Sequence, residues 1–284
     1  MTELPVDEVL RIVTIALFED LGDPPRDVTS FATIPADQQC TGDLVARADG
    51  VVAGLSVARS VFELVGASSF EAVVEDGARV VRGDVLATVS GSTRALLAAE
   101  RTALNLLCRM SGVATHTRAW ADQLAGSPAR VLDTRKTTPG LRVLEKYAVR
   151  AGGGTNKRMG LYDVAMVKDN HAVAAGGVVE AYRRVRATFP DVPVQVEVTT
   201  VDEAMAVVAA GADFLLCDNM SPDLLREVVA AVGGRAELEA TGGLTLDVAA
   251  EYAATGVDYL SVGALTHSSP ILDIAFDLRD PATP

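Results

Sequence analysis

Over the first twenty positions apolar residues recur at helical spacing, and Val9, Leu10, Val13 and Leu17 form one stripe. The stripe predicts a helix from Pro5-Val6 to about Asp20, which Gly22-Asp23-Pro24-Pro25 then stops. From about 41 to 90 the pattern shortens to apolar runs separated by Ala48-Asp49-Gly50, Glu75-Asp76-Gly77 and Arg82-Gly83-Asp84, which predicts strands joined by turns. A stretch rich in Ala and Leu, roughly Thr93 to Met110, reads as a helix that closes this first segment.

From Arg130 onward the chain repeats a beat of short apolar run, polar residue, turn and amphipathic helix, the pattern of βα units. The runs are Val131-Leu132-Asp133, Val164 to Lys168, Val194 to Glu197, Phe214 to Asp218, Ala236 to Glu239 and Tyr259 to Val262. Their polar ends at 197, 218 and 239 are evenly spaced, by the length that one strand, one helix and two loops occupy in parallel α/β architecture. Strands buried on both faces read as continuous apolar runs, and ligands gather beyond their C-terminal ends. Asp133, Lys168, Glu197, Asp218 and Glu239 are therefore expected at one mouth. A parallel barrel is the expected form; an open doubly wound sheet is the alternative, although its usual first signal, a Gly-rich turn after the first strand, is missing.

Composition narrows the classes. A chain of 284 residues can form two domains, and its 49% hydrophobic content with few aromatics suits packed helices and parallel strands rather than disorder. The formal net charge of −13 disfavours duplex DNA or an anionic membrane as partner, because the long-range field repels both. Cys40, Cys108 and Cys217 lack the paired spacing of disulfides or a zinc knuckle and read as buried thiols in a reducing compartment. The opening Met1-Thr2-Glu3-Leu4-Pro5 has no basic n-region and no run approaches the roughly 18 apolar residues of a membrane span, so a cytoplasmic protein is expected.

Against this acidity the cations are concentrated. All four lysines, Lys136, Lys146, Lys157 and Lys168, fall in one window, and from Thr134 to Lys168 eight Lys/Arg stand against two acids, Glu145 and Asp163. Arg142, Lys146 and Arg150 recur every four residues and fit a solvated helix face. The others fit it poorly: Arg135-Lys136 and Lys168 follow apolar runs, and Lys157-Arg158 follow Gly152-Gly153-Gly154, positions where ligands are held. A mouth with Arg135, Lys136, Arg158 and Lys168 beside Glu197 and Asp218 suits an anionic substrate together with Mg2+, which prefers one or two carboxylates plus phosphate oxygens and water. That each acid merely caps the following helix is the alternative. Thr241-Gly242-Gly243 and Gly263-Ala264 are small-residue loops at the last two strand ends, where backbone N–H groups can approach a phosphate closely; plain turns are the alternative. His116, His171 and His267 are too scattered for a metal motif, and His171 is expected near the mouth because it follows Lys168 by three residues.

Taken together, Asp133-Thr-Arg-Lys-Thr-Thr-Pro-Gly140, Glu145-Lys-Tyr-Ala-Val-Arg150, Gly152-Gly153-Gly154-Thr155-Asn156, Lys168-Asp-Asn-His171 and Val262-Gly-Ala-Leu-Thr-His267 resemble the quinolinate phosphoribosyltransferase family. Glu19-Asp20, Gly22-Asp23, Asp27-Val-Thr and Glu100-Arg-Thr-Ala-Leu-Asn-Leu106 extend the likeness over nearly the whole chain. The resemblance implies an α/β chain with an N-terminal α/β sandwich domain (1–112, joined by 268–284) and an incomplete parallel α/β barrel (113–267). It further implies a head-to-tail homodimer with shared sites, or a higher assembly of such dimers, and no nucleic-acid or membrane partner. The implied activity is that of a Mg2+-dependent pentosyltransferase of NAD biosynthesis. Phosphoribose passes from phosphoribosyl pyrophosphate to quinolinate with decarboxylation, giving nicotinate mononucleotide, pyrophosphate and CO2.

Carried over by motif, Arg101 reaches into the partner's site, while Arg135, Lys136, Arg158 and Lys168 hold the quinolinate carboxylates and the phosphates; Lys157 is placed in the substrate site as a cation that can pair with a quinolinate carboxylate. Glu197 and Asp218 bind the ribose hydroxyls and Mg2+, and with Lys136 they form the catalytic set. Thr241, Gly242, Gly243, Gly263 and Ala264 carry the 5-phosphate, and Thr134, Val262 and His267 complete the substrate site. One departure is plain: the family usually reads Gly-Gly-Gly-x-Asn-His-Arg, and Lys157 stands at the histidine position. A lysine is a flexible point charge, whereas histidine is planar and can be neutral. Two other readings therefore stay open: a phosphoribosyltransferase of the same fold acting on a different carboxylated aromatic acid, and a non-catalytic protein that binds an aromatic acid or a sugar phosphate.

Overall fold

Residues 3–279 are described by the structure, a computed structural model. Met1 and Thr2 of the N-terminal opening, and 280–284 of the expected C-terminal segment, lie outside the described residues. The chain divides into two compact units: the first holds the residues up to Arg118, Thr137–Gly153 and those from Ser268 on, and the second holds Ala119–Lys136 and Gly154–His267.

In the first unit, helix α1 (Val6–Leu21) buries Val9, Ile12, Val13 and Leu17 and ends at Gly22, whose positive φ of 74° lets its N–H reach Phe18 O. Helix α2 (Val28–Thr33) is capped by Asp27, which accepts from Thr29 N and Ser30 N. There follow β1 (Gln39–Ala46), β2 (Gly50–Val51), α3 (Leu55–Leu64), β3 (Ala67–Ala72), β4 (Arg79–Val80), β5 (Val85–Ser92) and α4 (Thr93–Gln123), whose residues from Ala119 on are counted with the second unit. β12 (Ile274–Leu278) returns to pair with β1, so that an antiparallel sheet runs β12-β1-β5-β3.

Three sequence expectations are corrected in this unit. The segment 41–90 is not all strand: α3 buries Leu55, Val57, Ala58, Val61 and Phe62, a helical set, and Asp76 caps it by accepting from Gly54 N and Leu55 N. Helix α4 does not stop near Met110. Val113, Ala114, Thr117 and Trp120 continue its buried stripe, and Gly112, which reads as a breaker, sits where a Cβ would fall on Pro270 O and Ile271 Cα. Nor is α5 (Arg142–Ala151) a solvated basic helix: Glu145, Lys146, Tyr147, Ala148 and Val149 are all buried. Cys108 is buried as expected, but Cys40 is only half-buried, at the exposed start of β1.

The second unit is built on six parallel strands, β6 (Arg130–Leu132), β7 (Ala165–Val167), β8 (Val194–Val198), β9 (Phe214–Asp218), β10 (Glu237–Thr241) and β11 (Tyr259–Ser261). Helices α6 (Asp169–Ala175) and α7 (Val178–Thr188), then α8 (Val201–Ala209) and α9 (Pro222–Val232), connect the strands from β7 to β10. The sheet order β6-β11-β10-β9-β8-β7 places each strand beside its successor from β7 to β11 and returns the last to the first. This is the order of a barrel left open between β6 and β7, and not of a doubly wound sheet.

The even spacing of the polar strand ends becomes a level in the sheet. Glu197 and Glu239 both lie opposite Leu216, and Thr241 lies opposite Asp218. Because side chains alternate along a strand, Glu197 shares a face with Gln195, while Val194, Val196 and Val198 form the opposite, buried face.

Candidate active site

A cavity of about 630 Å³ opens at the C-terminal ends of these strands, the end where parallel α/β folds place their chemistry. Thr134, Arg135, Lys136, Lys157, Arg158, Lys168, Glu197, Asp218, Thr241, Gly242, Gly243, Val262, Gly263, Ala264 and His267 all line it. Arg101 does not; it is an exposed residue of α4 in the first unit. Met166, Leu216, Asn219, Leu244 and Ser261 also line the cavity. Nothing in the sequence marks these five, because apolar and small polar side chains at strand ends carry no charge signal.

The segment after β6 is held by backbone and hydroxyl contacts. Lys136 N donates to Thr134 Oγ1 at 3.0 Å, and Thr266 Oγ1 donates to Lys136 O at 2.8 Å. Gly263 leaves room for this arrangement, since a Cβ there would lie 3.1 Å from Lys136 Cδ and 3.2 Å from His267 Nε2. Beyond the Gly152-Gly153-Gly154 run, Thr155 bridges to Leu132, which brings Asn156, Lys157 and Arg158 beside β6. Asp133 then fixes this second segment: it is fully buried and accepts from Asn156 Nδ2 at 2.6 Å and from the Lys157 backbone N–H at 2.7 Å. Arg158 donates to Val164 O at 3.0 Å, and burial, with Arg135 nearby, lowers the proton affinity of its guanidinium.

Two ion pairs join site lysines to strand glutamates. Lys168 Nζ meets Glu197 Oε2 at 2.6 Å, and Lys157 Nζ meets Glu239 Oε1 at 2.5 Å. They differ in solvation: the Lys168 side chain is 46% exposed, that of Lys157 only 7%. Burial pushes the Lys157 ammonium below the usual lysine range; Glu239 opposes this, and Lys168 and Arg158 add to it. Asp133 and Glu239, expected at the mouth, are buried and do not line the cavity. Glu239 sits inside β10, short of its end at Thr241, and the backbone N–H and ammonium of Lys157 cover the two acids from above. His171 does not line the cavity either; it is exposed, and its Nδ1 accepts from Lys168 N at 3.0 Å, within the first turn of α6.

Neither Glu197 nor Asp218 serves as a helix cap. Helix α8 is capped by Thr200, which accepts from Glu203 N, and α9 by Ser221, which accepts from Leu224 N. Asp218 Oδ2 instead accepts from Asn219 Nδ2 at 2.8 Å. Asn219 adopts a positive φ of 53°, and its backbone N–H donates to Thr241 O at 2.9 Å. Gly242 packs directly on it with φ +102°; a Cβ there would fall on the Asn219 side chain and lie 2.9 Å from its backbone N. The glycine signal at 242 is thus a close-approach requirement as well as a turn.

Comparison with known proteins decides what this constellation belongs to. The quinolinate phosphoribosyl transferase C-terminal domain matches residues 113–277, and the N-terminal domain of the same enzyme matches 27–111. The chain belongs to the quinolinate phosphoribosyltransferase family. Among its relatives, the nicotinate-nucleotide pyrophosphorylase [carboxylating] of Mycobacterium leprae (strain TN) is 48% identical over 284 residues, spanning 98% of this chain and all of the relative. The probable nicotinate-nucleotide pyrophosphorylase [carboxylating] of Bacillus subtilis (strain 168) is 40% identical, spanning 95% of this chain and 93% of its own length. In three dimensions the chain superposes on NadC from Streptococcus pyogenes with a TM-score of 0.93 at 38% identity, covering 99% of this chain and 98% of the other. Lys157, singled out in the sequence, is the residue held in the buried ion pair with Glu239.

No group of three or more His, Cys, Asp or Glu among the described residues is arranged to hold a metal ion. A site made of Glu197 and Asp218 alone, open on the cavity side, fits an ion that takes most of its ligands from substrate oxygens and water. No described helix is long and apolar enough to cross a membrane.

Proposed function

We propose that this chain transfers the phosphoribosyl group of phosphoribosyl pyrophosphate to quinolinate, releasing pyrophosphate and CO2 and leaving nicotinate mononucleotide. The observation that carries this reading is the single cavity in which Arg135, Lys136, Lys157, Arg158 and Lys168 meet Glu197 and Asp218 at the strand ends. The carboxylating activity named for its relatives supports it.

The C1–oxygen bond of the ribose breaks with its electron pair going to pyrophosphate, and the cations stabilise that departing charge. Positive charge develops on the sugar, where Glu197 and Asp218 stabilise it and accept from the ribose hydroxyls. The pyridine nitrogen lone pair closes the new bond to C1. The bond to the 2-carboxylate then breaks, its electrons remain on the ring carbon, which takes up a proton, and CO2 leaves. Arg135 and Arg158 hold the acceptor carboxylates, since a guanidinium fork matches a carboxylate in two hydrogen bonds. Gly242, Gly243, Gly263 and Ala264 let backbone N–H groups approach the 5-phosphate. Glu197 and Asp218 are the residues that would hold Mg2+, which would neutralise pyrophosphate oxygens, and Lys168, paired with Glu197 and lining the same cavity, would bind phosphate.

Steady-state assay with phosphoribosyl pyrophosphate, Mg2+ and quinolinate, following nicotinate mononucleotide and CO2, tests the reading; absence of turnover sinks it. Arg101 belongs to the proposal that two copies pair head-to-tail and share sites. Arg101→Ala should abolish turnover with little loss of stability, and mixing it with a Lys136→Ala variant should restore part of the activity through hybrid sites. No recovery after confirmed subunit exchange counts against a shared mouth.

Lys157 favours a second reading, that the acceptor is another carboxylated aromatic acid. A panel of pyridine and benzene carboxylates separates the two, and turnover confined to quinolinate removes the second.

A further inference from the structure

Glu239 has no part in the substrate site just described. It is fully buried in β10, its Oε1 accepts from Lys157 Nζ, and its Oε2 accepts no hydrogen bond among the described residues. The lysine is held at its other end as well, by the bond from its backbone N–H to Asp133 Oδ1. A lysine stem ordinarily samples many rotamers and carries its charge through a wide arc. Here two buried acids hold the backbone and the head, and the side chain still lines the cavity. An ammonium this deeply buried would give up its proton or swing toward water without a counter-charge. Glu239 supplies that counter-charge against the like charges of Lys168 and Arg158; the Cys217 thiol also lies near it, and Tyr259 stands opposite it on β11.

We propose that Glu239 is a positioning residue for the acceptor acid. Acting through Lys157, it turns a flexible cation into a fixed, charge-compensated contact and so restricts the acceptor to aromatic acids whose carboxylate meets that one point. This deepens the phosphoribosyl-transfer reading and rests on it.

The test is a double-mutant cycle on the full chain, Glu239→Gln and Lys157→Gln singly and together. It is read by calorimetric titration with quinolinate and by steady-state kinetics in both substrates. Glu239→Gln should raise the acceptor Kd and KM by on the order of tenfold to a hundredfold, as loss of one partner of a buried charge pair does. It should leave kcat and the KM for phosphoribosyl pyrophosphate within about threefold, the signature of lost ground-state binding. In the Lys157→Gln background the same change should add nothing. Glu239→Asp, which keeps the charge, should recover part of the affinity, and if Glu239→Gln does not fold, Glu239→Asp with and without Lys157→Gln gives the same cycle. Equal losses in both backgrounds, or a loss spread alike over kcat and both KM values, overturn the proposal. A wild type that binds quinolinate without turning it over sinks the activity but leaves the cycle readable by calorimetry; one that binds none overturns both.

Discussion

Each unit of the molecule buries one glutamate against a cation, and the two are satisfied differently. In the first unit Glu145 accepts from Arg109 Nε at 3.0 Å and Nη2 at 2.8 Å, from Thr138 Oγ1 at 2.7 Å and from Thr138 N at 2.9 Å. Arg109 passes on to Ser269 O at 2.9 Å, so that three separate segments of chain are tied by one carboxylate. In the second unit Glu239 has Lys157 as its hydrogen-bond donor and one oxygen without a hydrogen bond among the described residues. A buried charge is costly unless its lone pairs are filled. Glu145 meets that condition and holds a fold. Glu239 does not, and its partner lines the cavity at the strand ends, the kind of place where an unfilled buried acceptor is found.

The contrast can be broken most directly at Glu145. Glu145→Gln should cost about 3–5 kcal/mol in urea unfolding, because it removes the buried carboxylate charge that accepts from Arg109 and Thr138. If Glu239→Gln costs as much and leaves acceptor KM unchanged, the two glutamates play the same part and the distinction fails.

A smaller effect is expected at Gly242. Gly242→Ala should lose about 1–3 kcal/mol of thermal stability, from backbone strain and the clash with Asn219, and raise the KM for phosphoribosyl pyrophosphate. Gly243→Ala sharpens this result. That residue also has a positive φ, of 57°, but nothing lies within 4 Å of a Cβ there, so only the backbone cost of about 1–2 kcal/mol applies.

The smallest effect lies on the surface of the first unit, where Arg279 donates to Asp43 and holds its carboxyl below the usual range, with Thr88 also donating and partial burial acting against them. A carboxylate with a depressed folded-state pKa adds stability that is complete above the unfolded value, about 3.9, and is lost as pH falls below it. Asp43→Asn should therefore lower stability modestly at neutral pH, flatten the acid limb of the stability curve below about pH 4 and converge with the wild type at the lowest pH, read by urea unfolding across pH.

Most of the second unit is legible in the sequence, because a βα repeat writes itself as evenly spaced apolar runs with polar ends. The first unit is less so. Helix α3 lies inside the segment 41–90 read as strands and turns, and α4 runs on past Met110, where the sequence reading ended it; Gly54 and Gly112 stand at these two places. Both are glycine because something presses on them: Met110 at Gly54, and Pro270 with Ile271 at Gly112. Lys146 misleads for a related reason, as a long polar side chain on a helix gives no sign of what covers it.

The sequence alone determined the repeat, the clustering of cations at strand ends and the family, because those depend on order and spacing along one dimension. Only the tertiary structure decided that Lys157 belongs to Glu239, 82 residues away, and Lys168 to Glu197, 29 away. It also decided that Asp133 and Glu239 lie beneath the site and not in it. Which acid meets which cation depends on the register of neighbouring strands and on the water each pair retains, and both come into being when the sheet closes.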